Sequence, residues 1–289
     1  MHAELRPLIF SVAYGMLGSV AEAEDVTQEA LLRLQRTTTP IESPAAFAVT
    51  TATRLAIDEL RSARRRREVY VGSWLPEPLV TADPATDPAE HVEAAQRLST
   101  ALLVMLERLS PVERAVMLLR EVFEYDYARI AEIVGRSVEN CRQIMARARA
   151  HLHDARTRFE VPPQRHDELV TAFLDACRTG DLNALEKLLA EDVTFTGDGG
   201  GKVASLAVPA SGRQRVARFL LGLFRQAQAA QFAVDVVPVN GAPGVRVRDR
   251  DGVIVAVMSI VVSADKVVDL YSVLNPNKLR HLQPLDSVH

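Results

Sequence analysis

Two proline-rich breaks constrain this chain before any element is assigned. Pro76, Pro78, Pro84 and Pro88 interrupt residues 74–88, and Val161-Pro162-Pro163 makes a second break. A helix does not continue through prolines so spaced, because each lacks the amide donor and crowds the preceding turn. Residues up to about 68 carry few turn signals and read as helical, and helical periodicity resumes from about Glu90 to Phe159. Beyond the second break, helices over His166–Arg178 and Asp181–Ala190 lead to the glycine-rich stretch Gly197–Lys202. A helix over Gly212–Ala230 follows, and then β-rich runs at Phe232–Val239, Gly244–Arg248, Val253–Val262 and Val267–Leu274. Helices first and strands after make the last part α+β. The expected fold is multidomain, with two all-α modules followed by an α+β module.

The chain has 289 residues, 48% of them hydrophobic, which is enough apolar material for several cores. Cys141 and Cys177 form no disulfide framework and have no metal-ligand spacing, which fits a reducing, cytoplasmic setting. The apolar run Val253–Val262 is too short to span a bilayer. Leu5, Leu8, Ile9, Val12, Ala13 and Met16 follow helical spacing, and Glu4 offsets Arg6, so the start of the chain lacks the basic region of a secretory signal. Neither cofactor nor metal is expected.

A net charge of −3 seems to disfavour a nucleic-acid partner, but the sum hides its distribution. Arg54–Arg67 holds six arginines against Asp58 and Glu59. Tyr127–Arg158 holds seven against Glu132, Glu139 and Asp154. Residues 71–126 between them hold ten acids and four arginines. Two basic patches separated by an acidic stretch suit a protein that touches DNA in two places.

The second patch coincides with a helix-turn-helix pattern. Asp126 is a plausible N-cap for a short helix to Val134, Gly135-Arg136 makes the turn, and Ser137 caps the next helix. From Val138 to about His153, the residues Cys141, Ile144, Met145, Ala148 and Leu152 mark a buried stripe. Glu139, Asn140, Arg142, Gln143 and Arg147 are left on the open face. Arginine and glutamine can read base edges in a major groove, which admits an α-helix. An ordinary helical hairpin has the same spacing, so this pattern alone leaves both readings open.

Several motifs together carry a resemblance. Ala21–Glu29 (AEAEDVTQE), Pro44–Phe47, Arg54–Asp58 and the Arg64–Arg67 run are similar to region 2 of the extracytoplasmic-function group of sigma-70 family sigma factors. Leu109–Arg114 (LSPVER) through Ala146–Arg149 resembles region 4. The remainder resembles a SnoaL-like domain of the NTF2-like superfamily. Trp74–Pro78 (WLPEP), Asp198–Lys202 (DGGGK) and Asn275–Leu279 (NPNKL) resemble the marks of the subgroup that carries this fused extension. The implied domains are 1–69 (region 2), 70–95 (linker), 96–159 (region 4) and 166–281 (SnoaL-like).

The resemblance implies roles for named residues. Asp25, Gln28 and Glu29 share one polar helical face, which in the family docks on the β′ clamp of core RNA polymerase; region 4 meets the β flap. Residues from about Ile41 to Arg54 correspond to the part that melts and reads the −10 element. Arg54, Arg61 and Arg64 are candidates for phosphate contact. The family often has Asn where Arg54 stands, and Ala48 and Val49 replace the usual aromatic beside Phe47, so −10 preference does not transfer in detail. The −35 element would be read as duplex, with Arg136 near the backbone and Arg142, Gln143 and Arg147 nearer the bases. Trp74, Pro76, Asp198, Gly199, Gly200, Lys202, Asn275, Pro276 and Lys278 are implied to be regulatory.

Relatives of the last module include isomerases and cyclases that need a general base. Here His166, His281 and His289 lie near module ends, and the aspartates form no evident acid/base pair. Asp198–Lys202 lacks the strand–loop–helix context of a phosphate loop. The expectation is a non-enzymatic promoter-specificity subunit whose partners are core RNA polymerase and promoter DNA, with no membrane. Its last module would modulate activity in cis, with any small-molecule ligand left unknown. The alternatives are a helix-turn-helix regulator with a small-molecule-sensing domain, or a SnoaL-like enzyme fused to a DNA-binding part.

Overall fold

The computed structural model describes residues 2–80, 98–152 and 163–283. These fall into two compact units. One contains residues 2–69 and 98–152, and the other contains 70–80 and 163–283. Acidic residues Asp83, Asp87, Glu90 and Glu93 of the expected linker lie outside the described residues.

The first unit is all α. Helices α1 (His2–Leu17), α2 (Val20–Arg36) and α3 (Pro44–Glu68) are followed by α4 (Thr100–Leu106), α5 (Pro111–Glu121), α6 (Tyr127–Val134) and α7 (Val138–His151). Local chemistry sets their starts. Ser19, Ser99, Ser110, Asp126 and Ser137 each accept a backbone N–H of the first turn. At α5, Ser110 and Glu113 form a reciprocal capping box with Pro111 behind Ser110. The apolar stripes of α1–α3 meet in a core with Phe10, Tyr14, Met16 and Leu60. Gly15 lets α1 approach α5 closely, since a Cβ there would stand 2.8 Å from Leu118 Cδ2. Beside it the buried Arg114 of α5 donates to Met16 O at 2.6 Å and to Glu107 at 2.7 Å. The segments before and after the linker therefore share one core.

The second unit is α+β. Helices α8 (Pro163–Thr179), α9 (Leu182–Leu188) and α10 (Arg213–Ala229) pack on a sheet of β1 (Leu189–Asp198), β2 (Ala210–Ser211), β3 (Ala233–Val239), β4 (Ala242–Arg248), β5 (Ile254–Ser263) and β6 (Lys266–Val273). The strand order is β2-β1-β6-β5-β4-β3. Among the described residues only β1 and β6 pair in parallel; the other neighbouring strands are antiparallel. Phe173, Leu220 and Phe224 from the helices pack against Val245, Ile260 and Leu270 of the sheet.

The four later strands stand within about two residues of the sequence expectation. β1 does not: the helix expected over Asp181–Ala190 ends at Leu188, and the chain runs straight into a strand. Val193, Phe195 and Gly197 alternate inward there, but Glu191, Asp192 and the threonines between them mask the period in sequence. The DGGGK stretch caps this strand, leaving β1 at Asp198.

Candidate functional site

The helix-turn-helix is built by its caps. Asp126 accepts from Arg129 N at 2.7 Å, Gly135 takes the left-handed conformation (φ 66°) that ends α6, and Ser137 accepts from Asn140 N at 3.2 Å. Cys141, Ile144, Met145, Ala148 and Leu152 are buried, and burial raises the Cys141 thiol above its ordinary value. Arg136, Glu139, Asn140, Arg142, Gln143 and Arg147 are exposed. Glu139 holds Arg142 at 3.6 Å, and the Arg142 guanidinium lies 5.6 Å over the Tyr127 ring. A basic, glutamine-bearing helical face is thus presented from a capped and packed frame.

On α2, Asp25 and Gln28 are exposed and Glu29 is half-buried. Glu29 accepts from Arg33 at 2.7 Å, and the opposite face buries Ala23, Val26, Thr27 and Ala30. On α3, Arg61 is exposed and paired with Asp58 at 2.9 Å. Arg64 lies in the helix, but its side chain is outside the described residues. Arg54 is differently engaged. Its Nε and Nη2 each donate at 2.9 Å to the carbonyls of Ile133 and Glu132, at the last turn of α6. Those are carbonyls that the helix leaves unpaired, at the negative end of its dipole. Arg129 of α6 reciprocates, donating to Ala46 O at 2.8 Å and Thr50 Oγ1 at 3.1 Å on α3. The α3 helix of the first part and the first helix of the helix-turn-helix thus hold each other.

The three short motifs converge in the second unit. Asp198, at the end of β1, is fully buried. It accepts from Leu75 N at 2.8 Å and pairs with Lys278 at 2.7 Å. Its other oxygen accepts from the Tyr70 hydroxyl. Lys278 also donates to Leu75 O, and its ammonium stands 4.0 Å over the Trp74 ring and 5.0 Å over that of Tyr70. Asn275 donates from Nδ2 to the Tyr70 hydroxyl at 2.8 Å, and from its backbone to Asp198 O at 2.9 Å. Lys202 reaches Asn277 Oδ1 at 3.0 Å.

The glycines admit this closeness. A Cβ on Gly200 (φ 58°) would stand 2.1 Å from Asn275 Nδ2, and one on Gly199 would stand 2.2 Å from Val203 O. Pro76 is buried, whereas Pro276 is exposed. Farther along, Leu79 pairs with Asn240 through both backbone and side chain, Val80 bridges Val239, and His281 meets Pro78 O at 2.9 Å. Residues 70–80 are thus fastened along their length. The sequence reading missed Tyr70, Asn240 and His281, because no local pattern marks a residue whose partner is more than a hundred positions away. Burial, reinforced by the hydrogen bond to Asp198, raises the Tyr70 phenol above its ordinary value, so it stays a donor.

The chain was compared with known proteins. The Sigma-70 region 2 family matches residues 1–66, the Sigma-70 region 4 family residues 99–152, and the SnoaL-like domain family residues 170–272. The chain is 39% identical over 282 residues to the ECF RNA polymerase sigma factor SigJ of Mycobacterium tuberculosis, covering 95% of this chain and 90% of SigJ. It is 30% identical over 281 residues to the probable sigma factor SigI of the same species, covering 96% and 93%. The crystal structure of M. tuberculosis SigJ matches with a TM-score of 0.80 at 35% identity over 98% of both chains.

Proposed function

Since the chain belongs to the extracytoplasmic-function sigma factors of RNA polymerase, we propose that residues 1–69 read the −10 element and that the α6–α7 pair reads the −35 element, under control in cis by the SnoaL-like domain. Asp25, Gln28 and Glu29 form the polymerase-docking face, supported by their shared side of α2. Arg136, Glu139, Asn140, Arg142, Gln143 and Arg147 form the −35 face, supported by their common exposure. Arg61 and Arg64 neutralise phosphates near the −10 element, and Arg54 joins them once α6 is released.

The observation that carries the regulatory reading is the buried Asp198–Lys278 pair closed on Leu75. Residues 70–80 are the start of the only covalent path from the −10-reading part to the −35-reading part. A domain that holds this path limits how far the two parts separate. Separation is required, because elements 25 base pairs apart span about 80 Å of B-form DNA. The bonds from Arg54 and Arg129 hold α3 against α6 in the polymerase-free form. The relatives are sigma factors, and the proposed role is correspondingly non-catalytic.

The test is binding to core RNA polymerase followed by run-off transcription from a promoter selected with the holoenzyme. The full chain, Lys278→Ala and a truncation after Glu160 are compared. Promoter-dependent transcripts from the full chain, with a changed yield in the other two, are the expected result. Failure to bind core polymerase refutes the sigma role; equal yields from all three refute control in cis.

A further inference from the structure

A cavity of about 560 Å³ lies inside the second unit, between α10 and the sheet, within the size range of small-molecule sites. Leu220 and Phe224 of α10 form one wall, and Val245, Ala256 and Met258 of the sheet form another. No carboxylate, imidazole, ammonium or guanidinium group is among the lining residues. The polar side chains at its border are Gln226, Ser272 and Gln283. Gln283 is already committed, accepting from Ile254 N at 3.0 Å and donating to Ile254 O at 2.9 Å.

A third stretch of wall is Leu274, Pro276 and Leu279. These alternate with Asn275 and Lys278, the residues that close on Asp198 and Tyr70. One tight turn, with Lys278 N bonded to Asn275 O at 2.9 Å, therefore serves two surfaces. One faces the cavity, and the other holds the segment that joins the promoter-reading parts.

We propose that this cavity binds one uncharged, predominantly apolar small molecule, and that its occupancy sets the grip of residues 274–279 on residues 70–79. The chemistry of the wall selects the class. An apolar ligand gains burial there, whereas an ionised group inside the cavity would have no counter-charge. Without an acid/base group at the wall the site suits binding rather than proton transfer. The binding half stands on the cavity alone; the transcriptional readout rests on control in cis.

The test uses the full chain with N-phenyl-1-naphthylamine, an uncharged fluorescent probe. Saturable binding of one probe per chain is expected. Decan-1-ol should displace it, and decanoate at neutral pH should do so at least ~10-fold less well, because its carboxylate must be desolvated. Ala256→Phe on β5 fills the cavity from the sheet side, and Ala227→Phe fills it from the less buried helix side. Far-UV circular dichroism identifies which variants fold, and a folded one should weaken probe binding ~10-fold or more by overfilling the site. Trp74 is the chain's single tryptophan and sits over Lys278, so its emission reads the grip directly. Titration with decan-1-ol should shift that emission with the midpoint at which it displaces the probe.

Absence of saturable binding, or unchanged binding in folded filled variants, overturns the site. Equal displacement by decanoate overturns the uncharged class. Probe displacement with constant Trp74 emission overturns the coupling to the linker. A Trp74 response combined with Lys278→Ala transcribing like the full chain keeps the site and its coupling, and refutes only control in cis.

Discussion

Asp198 is the residue on which most depends. It is completely buried, and its two oxygens are shared among Leu75 N, Lys278 and the Tyr70 hydroxyl. Removing Lys278 leaves a buried carboxylate without its counter-charge. Lys278→Ala should therefore cost about 3–5 kcal/mol in the second unit, measured by urea unfolding followed at Trp74. A double change, Asp198→Asn with Lys278→Met, should cost less than the sum of the singles, since no charge then stays unpaired. Arg142 is the corresponding residue for the proposed −35 recognition. Arg142→Ala should cost about 1–3 kcal/mol of promoter affinity and relax discrimination at one −35 position if the guanidinium meets a base. A uniform loss across promoter sequences, with a smaller salt slope, would assign it to phosphate instead. Quantitative binding to single-base promoter variants at two salt concentrations separates these outcomes.

Among the elements, the helix-turn-helix was the most legible in sequence. Its boundaries rest on Asp126, Gly135 and Ser137, residues whose cap chemistry acts over three positions. Gly135→Ala, at φ 66°, should destabilise the first unit by about 1–2 kcal/mol, read as a shift in the urea midpoint. The α5 capping box gives a pH prediction. Partial burial pushes the Glu113 carboxyl up, but hydrogen bonds from Ser110 and the positive charges of His151 and Arg147 outweigh it, and its value falls below 4.5. The stability this supplies is present above 4.5 and is lost as pH falls through the lower folded value. Ser110→Ala should weaken that dependence, since the backbone bond and the positive charges remain, and should cost about 1 kcal/mol of helix stability. Elements defined by distant partners were harder to read. β1 acquires strand character from pairing with β6 some 75 residues later, as in the Thr194–Asp269 bond. Its polar composition gives no local sign of that pairing.

For the whole molecule, the modular order was readable because proline breaks and changes of period are local signals. The division into two units was not. It puts both promoter-reading parts in one unit and residues 70–80 of their connecting segment in the other, and it depends on contacts such as Arg54–Ile133 and Tyr70–Asp198. Replacing Arg129 by alanine should raise DNA binding in the absence of polymerase if the α3–α6 contact is what withholds the α6–α7 pair. Unchanged binding in a mobility-shift assay would count against this. The second unit should also be acid-sensitive. Burial lowers His166 below its ordinary 6.5, against the bond from its ring to Ile260 O. The unfolded chain thus takes up the proton first, and stability falls as pH drops from 6.5 toward the folded value. His166→Gln should flatten that slope in urea titrations.

The span between Leu75 and Lys278 also has a consequence during synthesis. The two are 203 residues apart, and at about 5–20 residues per second the ribosome needs roughly 10–40 s to travel from one to the other. Only in the later part of that interval, once α7 is complete at His151, have both promoter-reading parts been made, while the lysine that fastens residues 70–80 has not. If control in cis operates as proposed, each newly translated chain therefore passes through a stage in which its connecting segment is not yet fastened by Lys278.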